Sequence, residues 1–295
     1  MYKTDRITQG ISHLFLIILS VGSIIPLIIL LSSSFSSEAS ILKEGYSFLP
    51  KEFSFAAYEY LLTNSASILR AYGITIFVTV FGTIVSLAMT ALLAYGLSRR
   101  DLPYRNVFAF IVFFTLLFNG GLVPTYLVYT QVFDIKNTIW ALIVPGLLMN
   151  GFNVLLMRTF FITSIPEPVI ESARMDGAGE FRTFFSIVLP LSLPILATIG
   201  LLQTIFYWND WFNGLIYVTE PSLFSIQNIL NRMLSDIQFL ASSNLGTNTS
   251  AAAAQIPTTA VRMAIAVIGF LPILIAYPFF QKYLVKGIAL GSVKG

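Results

Sequence analysis

The residues able to do chemistry gather between Ser164 and Pro190, where the chain reads Ser-Ile-Pro-Glu-Pro-Val-Ile-Glu-Ser-Ala-Arg-Met-Asp-Gly-Ala-Gly-Glu-Phe-Arg-Thr-Phe-Phe-Ser-Ile-Val-Leu-Pro. Pro166 and Pro168 suit a helix start, where a missing N–H costs nothing. Glu167 and Glu171 then fall four apart in its first turns, where negative charge is favoured. Gly177 and Gly179 end or cap that helix, and a second short amphipathic segment runs into Pro190, which is expected to open an apolar stretch. A short exposed helix, a glycine turn and a re-entry point suit docking into a groove on a soluble partner. Catalysis has little to work with. The chain has no cysteine and a single histidine, His13, so disulfides, thiolate nucleophiles and His-pair metal sites are excluded. No G-x-x-x-x-G-K-[ST] phosphate loop occurs, and no Lys/Arg run points to nucleic acid. No catalytic residue, metal or cofactor of its own is expected.

The elements that must hold this segment are membrane helices. Of 295 residues, 56% are hydrophobic and 11% charged, against roughly 25% charged in a soluble domain. Mean hydropathy is +0.80. The fold class expected is an all-α integral membrane protein with six transmembrane helices, at about 14–34, 72–97, 106–128, 138–158, 186–208 and 261–281, because ~20 apolar residues cross ~30 Å of hydrocarbon. Leu14 to Leu31 is too long for a cleaved signal. No charged residue lies deep in a span, which argues against an ion-driven pump. One His, no Cys and no intramembrane carboxylate leave a membrane enzyme nothing to assemble.

Orientation follows from basic residues. With the N-terminus inside, Lys3, Arg6, Arg99, Arg100, Arg105, Arg158, Arg174, Arg182, Lys282, Lys286 and Lys294 are internal. Lys43, Lys51, Arg70, Lys136, Arg232 and Arg262 are external, giving 11 against 6 of the 17. Both termini and the loop 164–190 are therefore expected to be cytoplasmic. The loop 209–257 is expected outside, ending in a flexible Ser/Asn/Thr/Ala-rich stretch. The tail 282–295, with Lys286, Gly291, Ser292 and Lys294, is expected to slip between subunits and not to be helical.

Polar side chains in the spans mark a substrate pathway or interhelical pairing. Asn150 and Asn153 lie three apart, on one face if the fourth span is a continuous helix. Buried amides cost several kcal/mol unless paired, so that face lines a polar passage or bonds a neighbour. Asn119, beside Gly120, Gly121 and Pro124, weakens the third span. Gln203 and Tyr207 point along one face of the fifth. Tyr207, Trp208 and Trp211, with Asn209 and Asp210 interleaved, form either an aromatic belt or a surface on which a sugar stacks. His13 reads as an interfacial residue.

Glu171-Ser172-Ala173, Asp176-Gly177-Ala178 and Ile187-Val188-Leu189-Pro190 resemble the EAA loop of permease subunits of binding-protein-dependent ABC importers. Ser172 departs from the usual Ala. Phe118 to Tyr126, Tyr207 to Phe212 and the segment from Gln281 to Gly295 are similar to the carbohydrate importers of polysaccharide type. There the chain resembles the second permease of maltose and alginate importers. The resemblance covers roughly residues 5–295. It implies a type I importer permease fold that moves an oligosaccharide, including acidic uronate-containing ones, by alternating access. It also implies a second homologous permease, two ATPase subunits carrying Mg-ATP, an extracellular solute-binding protein and a bacterial cytoplasmic membrane. Glu171, Ser172, Ala173, Asp176, Gly177, Ala178, Leu189 and Pro190 would couple to the ATPase, Glu171 facing a basic residue there. The tail would reach the ATPase dimer.

Overall fold

The computed structural model describes residues 6–63, 65–242 and 258–292. They are almost entirely helical, with one isolated bridge, Ser36 to Phe53, and no strand among the described residues. In chain order the helices are α1 (Arg6–Ser34), α2 (Glu38–Glu44), α3 (Ala56–Thr63), α4 (Ser65–Ser98), α5 (Arg105–Leu117), α6 (Leu122–Leu127), α7 (Trp140–Ile143), α8 (Gly151–Ser164), α9 (Glu167–Met175), α10 (Glu180–Thr183), α11 (Leu189–Leu191), α12 (Leu193–Trp208), α13 (Phe212–Tyr217), α14 (Ile226–Ser242) and α15 (Thr258–Ser292). Two compact units are built from them, one drawn from Met1–Ile68 and Leu230–Pro272, the other from Leu69–Ile229 and Ile273–Gly295.

In the first unit Phe35 stacks on Phe53 and Tyr58, at ring separations of 5.5 and 4.9 Å. The Glu38 carboxylate accepts the N–H groups of Thr259 and Ala260, each from 2.9 Å. It thereby satisfies orphan donors at the start of α15 and meets the positive end of its dipole. In the second unit a core forms where Ala91, Ala94 and Leu97 of α4 meet Val154, Met157 and Phe161 of α8 and Ile195 and Ile199 of α12. Alanines let these backbones approach closely, as membrane helices require.

Among the described residues, two helices are long and apolar enough to cross a membrane, Thr8–Ser34 and Ala66–Ser98. Two bent pairs each offer one further span, and Thr259–Ile275 is a shorter apolar helix. The third, fourth and fifth expected spans are therefore not straight rods. The third breaks between α5 and α6 and turns by 114°. Gly121 sits at φ +85 there, and Asn119 Oδ1 accepts its N–H from 2.8 Å. The fourth is interrupted between α7 and α8, where Pro145 lacks a donor and Gly146 sits at φ +71. Past that break α8 runs on to Ser164, six residues beyond the expected end at 158, until Ile165 turns extended before Pro166. The fifth begins early, at Glu180. A π turn over Phe184–Val188 lets the Leu189 N–H reach the Phe184 carbonyl, and the helix bends by 81° between Leu191 and Leu193. Pro190 thus lies inside the segment before the bend and does not open the span.

The expected loop 209–257 is largely helical where described, holding α13, a 3-10 turn at Pro221–Leu223 and α14. Its Ser/Asn/Thr/Ala-rich stretch lies outside the described residues beyond Ser242. The tail is corrected too: α15 continues through Lys286 and Gly291 to Ser292. Ile288, Ala289 and Leu290 are sound helix formers, and they carry the helix across the isolated glycines. Lys294 lies outside the described residues.

Candidate functional site

The helix α9 is short and shaped by its ends. Pro166, at φ −66 and ψ 127, precedes it, with Glu167 in the first turn. Its far end is a complete Schellman closure. The Ala178 N–H reaches the Ala173 carbonyl at 2.9 Å, and the Gly177 N–H reaches the Arg174 carbonyl at 2.9 Å. Gly177 supplies the left-handed residue at φ +78, the position glycine occupies without strain. The spelling Ala173 to Ala178 is therefore the spelling of a helix stop. Asp176 closes the last turn, its N–H on the Ser172 carbonyl at 3.0 Å.

One face of α9 is inward. Ala173 is 7% exposed, and Ile170 packs against the core that α4, α8 and α12 share. The opposite face carries Glu171 and Ser172, both exposed. Met175, one turn beyond Glu171, is 82% exposed. A carboxylate and an uncovered apolar side chain on one face make a docking surface in which charge orients and Met175 anchors. Sequence reading missed Met175. Its signal was present in the four-residue spacing from Glu171. Leu189 is half-buried and Pro190 exposed.

The base of this helix is held by charges. Arg174 Nη2 lies 2.5 Å from Asp101 Oδ2 and 2.7 Å from Glu180 Oε1. Tyr95 Oη donates to Glu180 Oε2 at 2.5 Å. Arg99 Nε stands 3.4 Å from Asp101 Oδ1, and its Nη2 is 3.8 Å from Glu180 Oε1. Arg100 meets Glu167 at 3.2 Å. The Arg174 guanidinium holds the Asp101 carboxyl below the usual carboxylate range. Asp101 therefore stays ionised at neutral pH. Neither Tyr95 nor Asp101 was singled out from sequence. The available signal was an acidic residue directly after Arg99-Arg100 at the end of an apolar stretch. Arg158 adds a further tie, its Nε donating to the Leu97 carbonyl at 3.0 Å near the C-terminus of α4.

The polar residues expected in the spans separate into two groups. Asn150 does not share a helix face with Asn153. It is the N-cap of α8, its Oδ1 accepting the Phe152 N–H at 2.9 Å. Asn153 is 3% exposed and Gln203 1%. The Asn153 amide donates to Gln203 Oε1 at 3.3 Å, and the Gln203 amide donates to Ser86 Oγ at 2.8 Å and to the Leu147 carbonyl. These amides tie α8, α12 and α4 together across the break before α8. Tyr207, 2% exposed, donates to the Ile143 carbonyl at 3.0 Å. Trp208 is 6% exposed. Both rings pack against α4, Tyr207 at Gly82 and Trp208 beside the Tyr72 ring at 6.4 Å.

The second group is open. Asn209 and Trp211 are exposed. Asn119 lines an open cavity of about 440 Å³ with Gly121, Thr125, Asp210, Asn213 and Tyr217. Asp210 Oδ1 accepts the Asn213 N–H at 3.1 Å, and the Asn213 amide donates to the Pro145 carbonyl at 2.9 Å. Among the described residues no group of three or more His, Cys, Asp and Glu is placed to hold a metal.

Comparison with known proteins gives a consistent answer. The family model described as binding-protein-dependent transport system inner membrane component matches residues 88–290. The chain is 36% identical over 293 residues to the polygalacturonan/rhamnogalacturonan transport system permease protein YtcP of Bacillus subtilis (strain 168), covering 99% of each chain. It is also 36% identical to Protein LplC of that organism, over 99% of this chain and 97% of the relative. Among solved structures, a chain of a bacterial ABC transporter involved in the import of the acidic polysaccharide alginate matches with a TM-score of 0.79 and 33% identity. That match covers 96% of this chain and 98% of the other.

Proposed function

Because this chain belongs to the family of inner membrane components of binding-protein-dependent transport systems, we propose that it is the permease subunit of an ATP-driven importer for an acidic oligosaccharide. It works in the bacterial cytoplasmic membrane with both termini inside, by alternating access. Its partners are a second homologous permease, two ATPase subunits that carry the Mg-ATP, and an extracellular solute-binding protein. The relatives named for polygalacturonan and alginate support the acidic sugar.

The observation that carries the reading is α9: a helix stopped by Gly177, its Glu171 and Met175 uncovered, inside the segment the family model matches. That face docks in the ATPase groove, and the tail around Lys286, Gly291, Ser292 and Lys294 reaches the ATPase dimer. On the substrate side, the cavity lined by Asn119, Asp210 and Asn213, with Asn209 and Trp211 nearby in sequence, offers hydroxyl partners and a ring to a sugar. Asn150, Asn153, Gln203, Tyr207 and Trp208 shape that passage from behind.

The test is Glu171→Lys in the assembled transporter. Losing one member of a desolvated charge pair costs about 2–5 kcal/mol, so ATPase co-purification and uptake of short oligogalacturonides should both fall while the chain remains in the membrane. Wild-type levels of both would remove α9 as the docking element.

A further inference from the structure

The covalent links on either side of α9 are weak holders. Ile165 and Pro166 are extended before it. After it come Gly177 and Gly179, with nothing within 4 Å of the space a Cβ would fill at either. A nine-residue helix hung between such flanks tilts under load unless something else ties it down. Packing supplies part of the tie through Ala173 and Ile170. The rest is the charge cluster at its base, which joins three other stretches of chain: the last turns of α4 through Tyr95, the turn after it through Asp101, and α10 through Glu180.

We propose that Tyr95, Asp101, Arg174 and Glu180 form a latch that makes α9 and the end of α4 move as one body, so that a push delivered to α9 reaches the transmembrane helices instead of being absorbed in the glycine turn. The inference rests on α9 being the element that receives the ATPase. The geometry fits a mechanical tie better than a store of stability. A charged N–H donor makes short, strong bonds to carboxylates, and one guanidinium nitrogen of Arg174, Nη2, reaches both carboxylates here, at 2.5 and 2.7 Å. Glu180 is then fixed from its other oxygen by the Tyr95 hydroxyl, while Asp101 Oδ1 faces the Arg99 guanidinium at 3.4 Å as a looser ion pair. Arg174, Glu180 and Tyr95 cannot swing apart without breaking a short hydrogen bond. The side chains of Arg174, Asp101 and Glu180 are 41%, 53% and 52% exposed, and ion pairs so exposed add little to folding stability. Arg174, Asp101, Tyr95 and Glu180 are positioning residues for transport.

The experiment uses the complete transporter in proteoliposomes, measuring sugar moved per ATP hydrolysed. Arg174→Gln keeps a good helix former and removes the guanidinium; Tyr95→Phe removes one hydroxyl. Both should leave ATPase co-purification and ATP hydrolysis near wild type, while sugar moved per ATP falls about tenfold for Arg174→Gln and less for Tyr95→Phe. The chain has no cysteine of its own, so Asp101→Cys with Arg174→Cys can be bridged by a short bifunctional thiol reagent. Bridging should restore the stoichiometry that the unbridged pair has lost. Unchanged stoichiometry in Arg174→Gln overturns the latch. So does loss of ATPase association in that variant, which would make Arg174 a docking residue. So does a bridged variant that stays uncoupled. The two failures read differently. If α9 is not the docking element, Glu171→Lys keeps both ATPase and uptake. If the latch alone is wrong, Glu171→Lys loses both while Arg174→Gln transports at wild-type stoichiometry.

Discussion

Gly177 concentrates the site's backbone chemistry in one residue. It holds φ +78 with open space where a side chain would begin, so any penalty for replacing it comes from the torsion and not from crowding. Placing an L-residue with a Cβ in that region costs roughly 1–2 kcal/mol. Gly177→Val should weaken binding of the ATPase to the detergent-solubilised chain by about 5- to 30-fold, and Gly177→Asn by clearly less, since asparagine tolerates the left-handed region. Equal losses for both would mean that the turn responds to bulk, and that the Schellman closure is not what positions Glu171. This end of α9 was legible in the sequence because a glycine stop is a local property. The base was not. Arg174, Asp101 and Glu180 are brought together across 73 and 6 positions of chain, and a pairing at such distance leaves no periodic trace.

At the scale of elements, apolar content was legible and shape was not. Hydropathy counts residues, and it reads Phe118 to Tyr126 as part of one span although Gly121 and its capping asparagine turn the backbone there. The same holds for Pro190 and Pro194, whose missing donors are accommodated by a π turn and a bend. Asn153 and Gln203 were visible as polar residues in apolar surroundings. Which of passage or pairing they serve depended on Ser86 and the Leu147 carbonyl, two partners no spacing rule supplies. Close packing between α4 and the end of α12 yields a sharper expectation. A Cβ built on Gly82 of α4 would lie 2.6 Å from the Tyr207 ring, and that ring is pinned by its hydroxyl on the Ile143 carbonyl. Gly82→Ala should therefore destabilise the chain by roughly 1–3 kcal/mol, read as a lower midpoint of thermal unfolding in detergent. In a Gly82→Ala, Tyr207→Leu double variant part of that loss should return, because the smaller side chain vacates the contact. Additive losses would place the strain elsewhere.

For the whole molecule the proposal fixes a direction across the bilayer. Met175 is 82% exposed beside Glu171, and Leu49 is 78% exposed between α2 and α3. With no native cysteine, Met175→Cys and Leu49→Cys each report one position. In cells making this chain without its ATPase subunits, which would otherwise cover Met175, a membrane-impermeant maleimide should label Leu49→Cys on intact cells and Met175→Cys only after the membrane is opened. Labelling of both from one side would invert or abolish the assigned topology. The bare surface of α1 bears on how such a chain is made. The most apolar 18-residue stretch of its span Thr8–Ser34 has a mean hydropathy of 3.0, and none of that stretch is buried inside the chain. On leaving the ribosome it is complete as a membrane segment, since lipid satisfies its side chains and the helix satisfies its own backbone. The interrupted fourth span is not complete in that sense. At its break the Leu147 carbonyl accepts from the Gln203 amide of α12 and the Pro145 carbonyl from the Asn213 amide of α13, partners that are synthesised later. Translation thus delivers this self-sufficient segment before α12 and α13, and it can anchor the nascent chain through the interval in which the fourth span still lacks the amides that finish it.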